Sequence, residues 1–137
     1  MVCMYCGSKT KVTNSRARLK GLETWRRRAC INCGAIYTTS EGIEEDKSIM
    51  VEHQGHLEPF LRDRLLISVY ESLRHRKTAI EDASALTDTI MTRLRPYFTH
   101  GKVTTTDIQT TTAAVLNNFD AAAGVHYTAF HHGSAED

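Results

Sequence analysis

Apolar positions change their rhythm near residue 61, and the change divides the chain. Before that point they come in short clusters separated by polar turns. Residues 11–16 (Lys-Val-Thr-Asn-Ser-Arg) predict a short strand and residues 22–29 its partner, with a turn at Lys20-Gly21. Ile49-Met50-Val51 predicts a further strand, Gln54-Gly55 a turn, and residues 56–60 a return that Pro59 confines to an edge or a strand end. From Leu61 the period becomes helical: Leu61, Leu65, Val69 and Leu73 form a stripe that Leu66 and Tyr70 widen. The basic run Arg74-His75-Arg76-Lys77 ends that helix where positive charge suits the dipole. Residues 78–81 (Thr-Ala-Ile-Glu) read as a capping box for a second helix, striped by Ile80, Ala83, Leu86, Ile90 and Leu94 and stopped by Pro96. Residues 106–109 (Thr-Asp-Ile-Gln) read as another box, opening a helix that buries Ile108, Thr112, Val115, Leu116 and Phe119. Asp120 caps a last helix over residues 121–131, with Val125, Ala129 and Phe130 as its apolar side. A β-hairpin followed by four helices predicts an α+β unit after a small β segment.

Charge follows the same division. Residues 1–40 carry eight basic side chains and one acid, a net of +7; the remainder carries nine basic and fifteen acidic, a net of −6. The overall +1 therefore averages two segments of opposite character. With 41% hydrophobic and 24% charged residues the composition is that of a soluble globular protein. No apolar run approaches the ~18 residues of a membrane span, so no membrane partner is expected. The opening Met-Val-Cys-Met-Tyr-Cys has neither a basic nor an apolar leader region, which points to a cytoplasmic protein.

All four cysteines fall in the first 33 residues, as the pairs Cys3/Cys6 and Cys30/Cys33, each followed by glycine (Gly7, Gly34). A disulfide or a redox motif is the competing reading. In a reducing compartment two Cys-x-x-Cys knuckles favour one structural Zn2+ per chain, held by four sulfurs with no position open for water. The metal also answers a deficit. The segment has few large apolar groups with which to offset an ordering cost of about 1–2 kcal/mol per residue, and a zinc site in a small finger supplies on the order of 10 kcal/mol.

The second strand carries Arg26-Arg27-Arg28. A solvated basic face is the plain reading of such a triplet. Here Trp25 flanks it, Lys11, Arg16 and Arg18 join it across the hairpin, and the metal holds it rigid. Alternation puts Arg26 and Arg28 on one face and Arg27 on the other, so one face grips phosphates while the other reads a guanine edge or packs on Trp25. These six basic residues are the candidate DNA contacts, and duplex DNA is the expected partner.

Taken together, Cys3-x-x-Cys6-Gly7, Thr10-Lys11-Val12-x-x-Ser15-Arg16, Arg26-Arg27-Arg28-x-Cys30-x-x-Cys33-Gly34 and Tyr37-Thr38-Thr39 resemble the transcriptional regulators of ribonucleotide reductase, the NrdR family. The resemblance implies a zinc ribbon (residues 1–41), a linker (42–48), an ATP-cone-like regulatory and oligomerisation domain (49–132) and a polar tail (133–137). It implies a homo-oligomeric repressor of ribonucleotide reductase operons that binds paired promoter sites and responds to ATP or dATP. Glu58-Pro59-Phe60 with Leu65-Leu66, and Phe119-Asp120 with Val125 and Tyr127, are similar to family elements. Aligned there, the family's triphosphate-facing strand falls on Val51, Glu52, His53 and Gly55. Glu52 stands where lysine is expected and His53 where arginine is; Gly124 replaces a tyrosine and His126 an arginine. These exchanges imply a weakened phosphate grip.

Enzyme chemistry is not expected. There is no Gly-x-x-x-x-Gly-Lys phosphate loop and no His-Glu-x-x-His helix, and the threonine runs at residues 104–106 and 110–112 lack a nucleophile–base pair. His53-x-x-His56 and His131-His132 lack further ligands at metal spacing. The leading alternative is a zinc-ribbon adaptor for RNA or protein whose cone no longer binds nucleotide. A third reading is a nucleotide-binding subunit acting directly on an enzyme, which the free arginine triplet disfavours.

Overall fold

In the computed structural model, which describes residues 1–131, the chain forms two compact units that meet between Glu44 and Glu45. His132 and residues 133–137 lie outside the described residues. The architecture is the expected α+β: a three-stranded sheet with a cysteine cluster, then a small sheet with four helices.

The first unit is an antiparallel sheet of β1 (Thr10–Arg18), β2 (Glu23–Cys30) and β3 (Ile36–Gly42), with β2 central. The third strand is an addition to the sequence reading, and the run Ile36-Tyr37-Thr38-Thr39 carries the β propensity for it. The β1–β2 connection is a 3-10 turn over Leu19–Gly21, longer than a Lys20-Gly21 turn. Leu19, Lys20 and Gly21 all take positive φ there. Within this unit the only buried apolar side chains are Cys3 and Cys30; Val12, Leu19, Leu22, Ile31 and Ile36 are exposed. Its interior is the sulfur cluster.

The second unit opens with a single helical turn, α1 (Glu45–Ser48), inside the segment expected to be a linker. Strand β4 (Met50–His53) then pairs with β5 (His56–Pro59) antiparallel and with β6 (Lys102–Thr104) parallel. The β4–β5 hairpin is the expected one. β6 escapes sequence reading because it is three residues long with one apolar side chain. Helices α2 (Arg62–Leu73), α3 (Ala79–Leu94), α4 (Thr105–Phe119) and α5 (Ala121–His131) pack around a core that includes Phe60, Val69, Leu73, Ile90, Leu94 and Leu116.

The helices are where they were expected, but some stripes are rotated. On α3 the inward positions are Ala79, Ala83, Leu86, Thr87, Ile90, Met91 and Leu94, so Ile80, one step round the helix, is exposed. On α5 the buried residues are Ala123, Gly124 and Tyr127, while the larger Val125 and Phe130 face outward. Leu61 and Phe119 are also exposed, and the Phe119 ring lies 4.7 Å from the Arg76 guanidinium. Helix α4 is capped by Thr104, whose hydroxyl accepts from the Asp107 amide at 3.0 Å, and not by Thr106. Thr78 makes no backbone cap; its hydroxyl donates to Asp82 at 2.7 Å. Asp120 does cap α5, accepting from the amides of Ala122 (2.9 Å) and Ala123 (3.2 Å).

Candidate metal centre and nucleic-acid face

The two cysteine knuckles are built alike. In the first, the Cys3 amide donates to the Ser8 carbonyl at 2.8 Å; in the second, Cys30 donates to Ala35 at the same offset, 2.9 Å. Gly7 and Gly34 share φ = 71°, a left-handed conformation that a glycine adopts without strain. The knuckles bring all four Sγ atoms within 4.8 Å of one another. Cys3 and Cys33 are 3.7 Å apart, Cys6 and Cys30 3.5 Å. Tetrahedral zinc with Zn–S bonds of about 2.3 Å sets its sulfurs about 3.8 Å apart, so the four thiols fit that ion. When bound, zinc closes the unit through these four residues and leaves no coordination position for a substrate.

Hydrogen bonds prepare the sulfurs. The Asn32 and Cys33 amides each donate to Cys30 Sγ at 3.4 Å, and the Asn32 side chain reaches Cys6 Sγ at 3.9 Å. The Ser8 side chain, then its amide, hold the Cys6 thiol down at about 6, and the amides of Cys33 and then Asn32 lower Cys30. Cys33 is acted on first by the Ala35 amide, which lowers it. Its sulfur neighbours, led by Cys30, outweigh that and push it up to about 12. Four thiols this close cannot all ionise unless a cation shares them. Ser8 and Asn32 were not legible as ligand supports, because their roles arise from the knuckle turns.

Strand β2 distributes the basic residues over both sides of the sheet. Arg27 sits opposite Asn14 and Thr38, and Trp25 opposite Arg16 and Ser40. Lys11 opposite Ala29 and Arg18 opposite Glu23 share that face, because directly opposed residues point the same way. A bulge at Thr13 sets this register: its hydroxyl donates to the Arg27 carbonyl at 3.2 Å, and pairing resumes at Asn14. The Arg16 guanidinium lies 6.0 Å from the Trp25 ring centre. On the other face, Arg26 donates to Glu41 at 2.8 Å and Arg28 to the Thr39 hydroxyl at 3.1 Å. Tyr37, on that face too, donates to the Val2 carbonyl at 3.0 Å. The six candidate contacts therefore stand as four and two.

In the second unit, Val51 lines a cleft of about 190 Å³ with Phe60, Leu65, Ile108 and Tyr127 at its apolar wall. Ligand pockets run roughly 300–1,000 Å³. Glu52 points to the opposite side of β4, and His53 is exposed beside the Gln54-Gly55 turn, where both residues take positive φ. Of the four expected nucleotide contacts, only Val51 lines the cleft. Arg64, at the cleft, is paired with Glu58 at 3.0 Å. His131 Nδ1 faces the Tyr127 carbonyl at 2.9 Å and so carries the proton, leaving Nε2 to accept from Ser68 at 2.9 Å in the neutral ring. His126 contacts Ser72 at 3.4 Å and the Phe130 ring at 4.7 Å, lining a second groove. Gly124 is buried against α4, where a β-carbon would fall 2.9 Å from Asn117 Cα. The tyrosine expected at that position has no room.

Comparison with known proteins agrees with the ribbon. Residues 1–41 match the family described as "Transcriptional repressor NrdR-like, N-terminal domain". The chain is 37% identical over 95 residues to a transcriptional repressor NrdR from Symbiobacterium thermophilum, covering 69% of this chain and 63% of that protein. It is 32% identical over 128 residues to the Geobacter sulfurreducens protein of the same description, covering 93% and 85%. The Heliobacterium modesticaldum relative is likewise 32% identical over 128 residues, covering 93% and 84%.

Proposed function

The chain belongs to the NrdR family of transcriptional repressors, and from that premise we propose that it represses ribonucleotide reductase genes by binding their promoters as duplex DNA through its zinc ribbon. The observation that carries this reading is the four-sulfur cluster bracing a sheet of net positive charge. A sheet already ordered by its sulfur cluster presents guanidinium groups to a phosphate backbone without first ordering the chain.

One ribbon offers too few base contacts for promoter specificity at physiological salt, so copies must act together. The second unit supplies the joint. Val125 and Phe130 on α5 and Ile67 on α2 are between 60% and 73% exposed, separate apolar side chains available to a second copy. Adenine nucleotides are the expected effectors of such a cone. Here Glu52 and His53 replace the basic pair, so the two cations expected to meet the phosphates are missing. We therefore read ATP and dATP binding as weak at neutral pH, so that assembly depends mainly on those apolar side chains. The zinc-ribbon adaptor for RNA or protein remains the second reading, supported by that same poor nucleotide grip. No enzyme activity is proposed.

Capture of genomic fragments on the purified zinc-loaded protein, followed by sequencing, tests the function. Enrichment of ribonucleotide reductase promoters is the expected result; recovery of RNA alone would favour the adaptor. Calorimetry with dATP at neutral pH tests the effector reading: binding near micromolar would show that other residues supply the phosphate grip.

A further inference from the structure

The strand register sorts the six basic side chains by face, and the two faces differ in what their charged groups already do. Lys11, Arg16, Arg18 and Arg27 share one face with Trp25. Among the described residues no partner holds the Lys11 or Arg27 head group, and both side chains are exposed. The acid on that face, half-buried Glu23, stands 3.7 Å from the exposed Arg18, a long and weak pair. On the opposite face both arginines and the tyrosine are engaged within the same unit: Arg26 with Glu41, Arg28 with Thr39, Tyr37 with Val2. A phosphate approaching there displaces an internal hydrogen bond and meets the Glu41 carboxylate.

We infer that the ribbon meets DNA with the Lys11–Arg16–Trp25–Arg27 face, while Arg26 and Arg28 brace the sheet from behind. This rests on the DNA-binding reading above and assigns its surface. Geometry supports it further. Lys11 and Arg18 pair with Ala29 and Glu23, six steps apart on β2, so at ~3.3 Å per residue they lie about 20 Å apart, which spans about six base steps of ~3.4 Å. Thr38 and Ser40 flank Arg27 and Trp25 on β3, short hydroxyl side chains that admit a backbone closely and can donate to phosphate. Arg16 lies over the Trp25 ring, which keeps the guanidinium and the indole on the contact surface. The middle arginine of the triplet thus differs in task from its two neighbours, although the three are adjacent in sequence.

The chain has one tryptophan, and it lies on the inferred face, so its emission reports contact directly. The test uses the full zinc-loaded chain and a mixed-sequence 30-base-pair duplex, with anisotropy read across a salt series and Trp25 emission read in parallel. Metal content, measured for each variant, confirms a folded ribbon. The Lys11→Gln/Arg27→Gln double variant is expected to flatten the log–log salt slope by about 1.8, from ~0.9 per phosphate contact. The Arg26→Gln/Arg28→Gln variant is expected to keep both the slope and the emission change on DNA addition. The reverse pattern overturns the inference, as does binding that leaves Trp25 emission unmoved. If the unaltered chain fails to bind any duplex at low salt, the DNA-binding reading fails and takes this one with it.

Discussion

Cys6 and Cys30 place their sulfurs 3.5 Å apart across a separation of 24 positions, and with Cys3 and Cys33 they form a cluster in which Cys3 and Cys30 are buried. Nothing else apolar is buried there. The three-stranded sheet therefore depends on whatever joins these sulfurs, whereas the helical unit depends on its own packed core.

Zinc removal separates the two dependences. Chelation, or the Cys30→Ser change, is expected to unfold residues 1–44 and abolish DNA binding. The helical circular-dichroism signal of α2–α5 should persist, because Leu73, Ile90, Leu94 and Leu116 are buried independently of the sulfurs. Since thiolates bind the metal, occupancy should also fall as pH is lowered. Retention of the sheet in metal-free protein under reducing conditions would contradict the assignment.

Asp120 links stability to pH. Its carboxylate accepts from His75 at 3.0 Å and Arg76 at 3.1 Å while capping α5. His75 first, then the Ala123 amide and Arg76, hold its pKa down at about 2. The folded value lies below the unfolded value of roughly 3.9, so the contribution is complete above that pH and is lost as pH falls towards 2. Asp120→Asn keeps a capping oxygen and removes the charge. It should lower the unfolding midpoint of the second unit above pH 4, and the deficit should close as pH approaches 2. A deficit independent of pH would show that the charge contributes nothing.

Gly124 sets how closely α5 approaches α4. A β-carbon there would fall 1.8 Å from Asn117 Oδ1 and 2.9 Å from Asn117 Cα, and the second of these cannot be relieved by a side-chain rotation. Gly124→Ala should cost about 1–3 kcal/mol in denaturant unfolding, the usual penalty of overpacking, despite alanine's better helix propensity. A neutral or stabilising effect would mean that the two helices separate easily.

Much of this was legible in the chain. The cysteine spacing carried the metal cluster, because ligand geometry constrains few positions tightly. The period of apolar residues carried the four helices and the β4–β5 hairpin. What stayed hidden depends on contacts between distant residues. β6 exists because β4 offers it a parallel edge, and its single Val103 gave no periodic signal. Ile80 and Phe130 looked like core because apolar character alone cannot say which side of a helix faces inward when small residues such as Ala79, Ala123 and Gly124 do the packing. The division of the arginines was half visible: alternation separated Arg27 from its neighbours. Only the bulge at Thr13 and the partners Glu41 and Thr39 reveal which side is engaged within the sheet.

The proposed function stands on sequence-selective DNA binding by the zinc-loaded chain. Equilibrium binding of the full chain to a ribonucleotide reductase promoter duplex, against a scrambled duplex of equal length at physiological salt, measures it directly. The promoter is expected to be preferred at least ~10³-fold, and that preference to be lost when zinc is removed. Equal affinity for both duplexes, or promoter binding that survives loss of the metal, would contradict it.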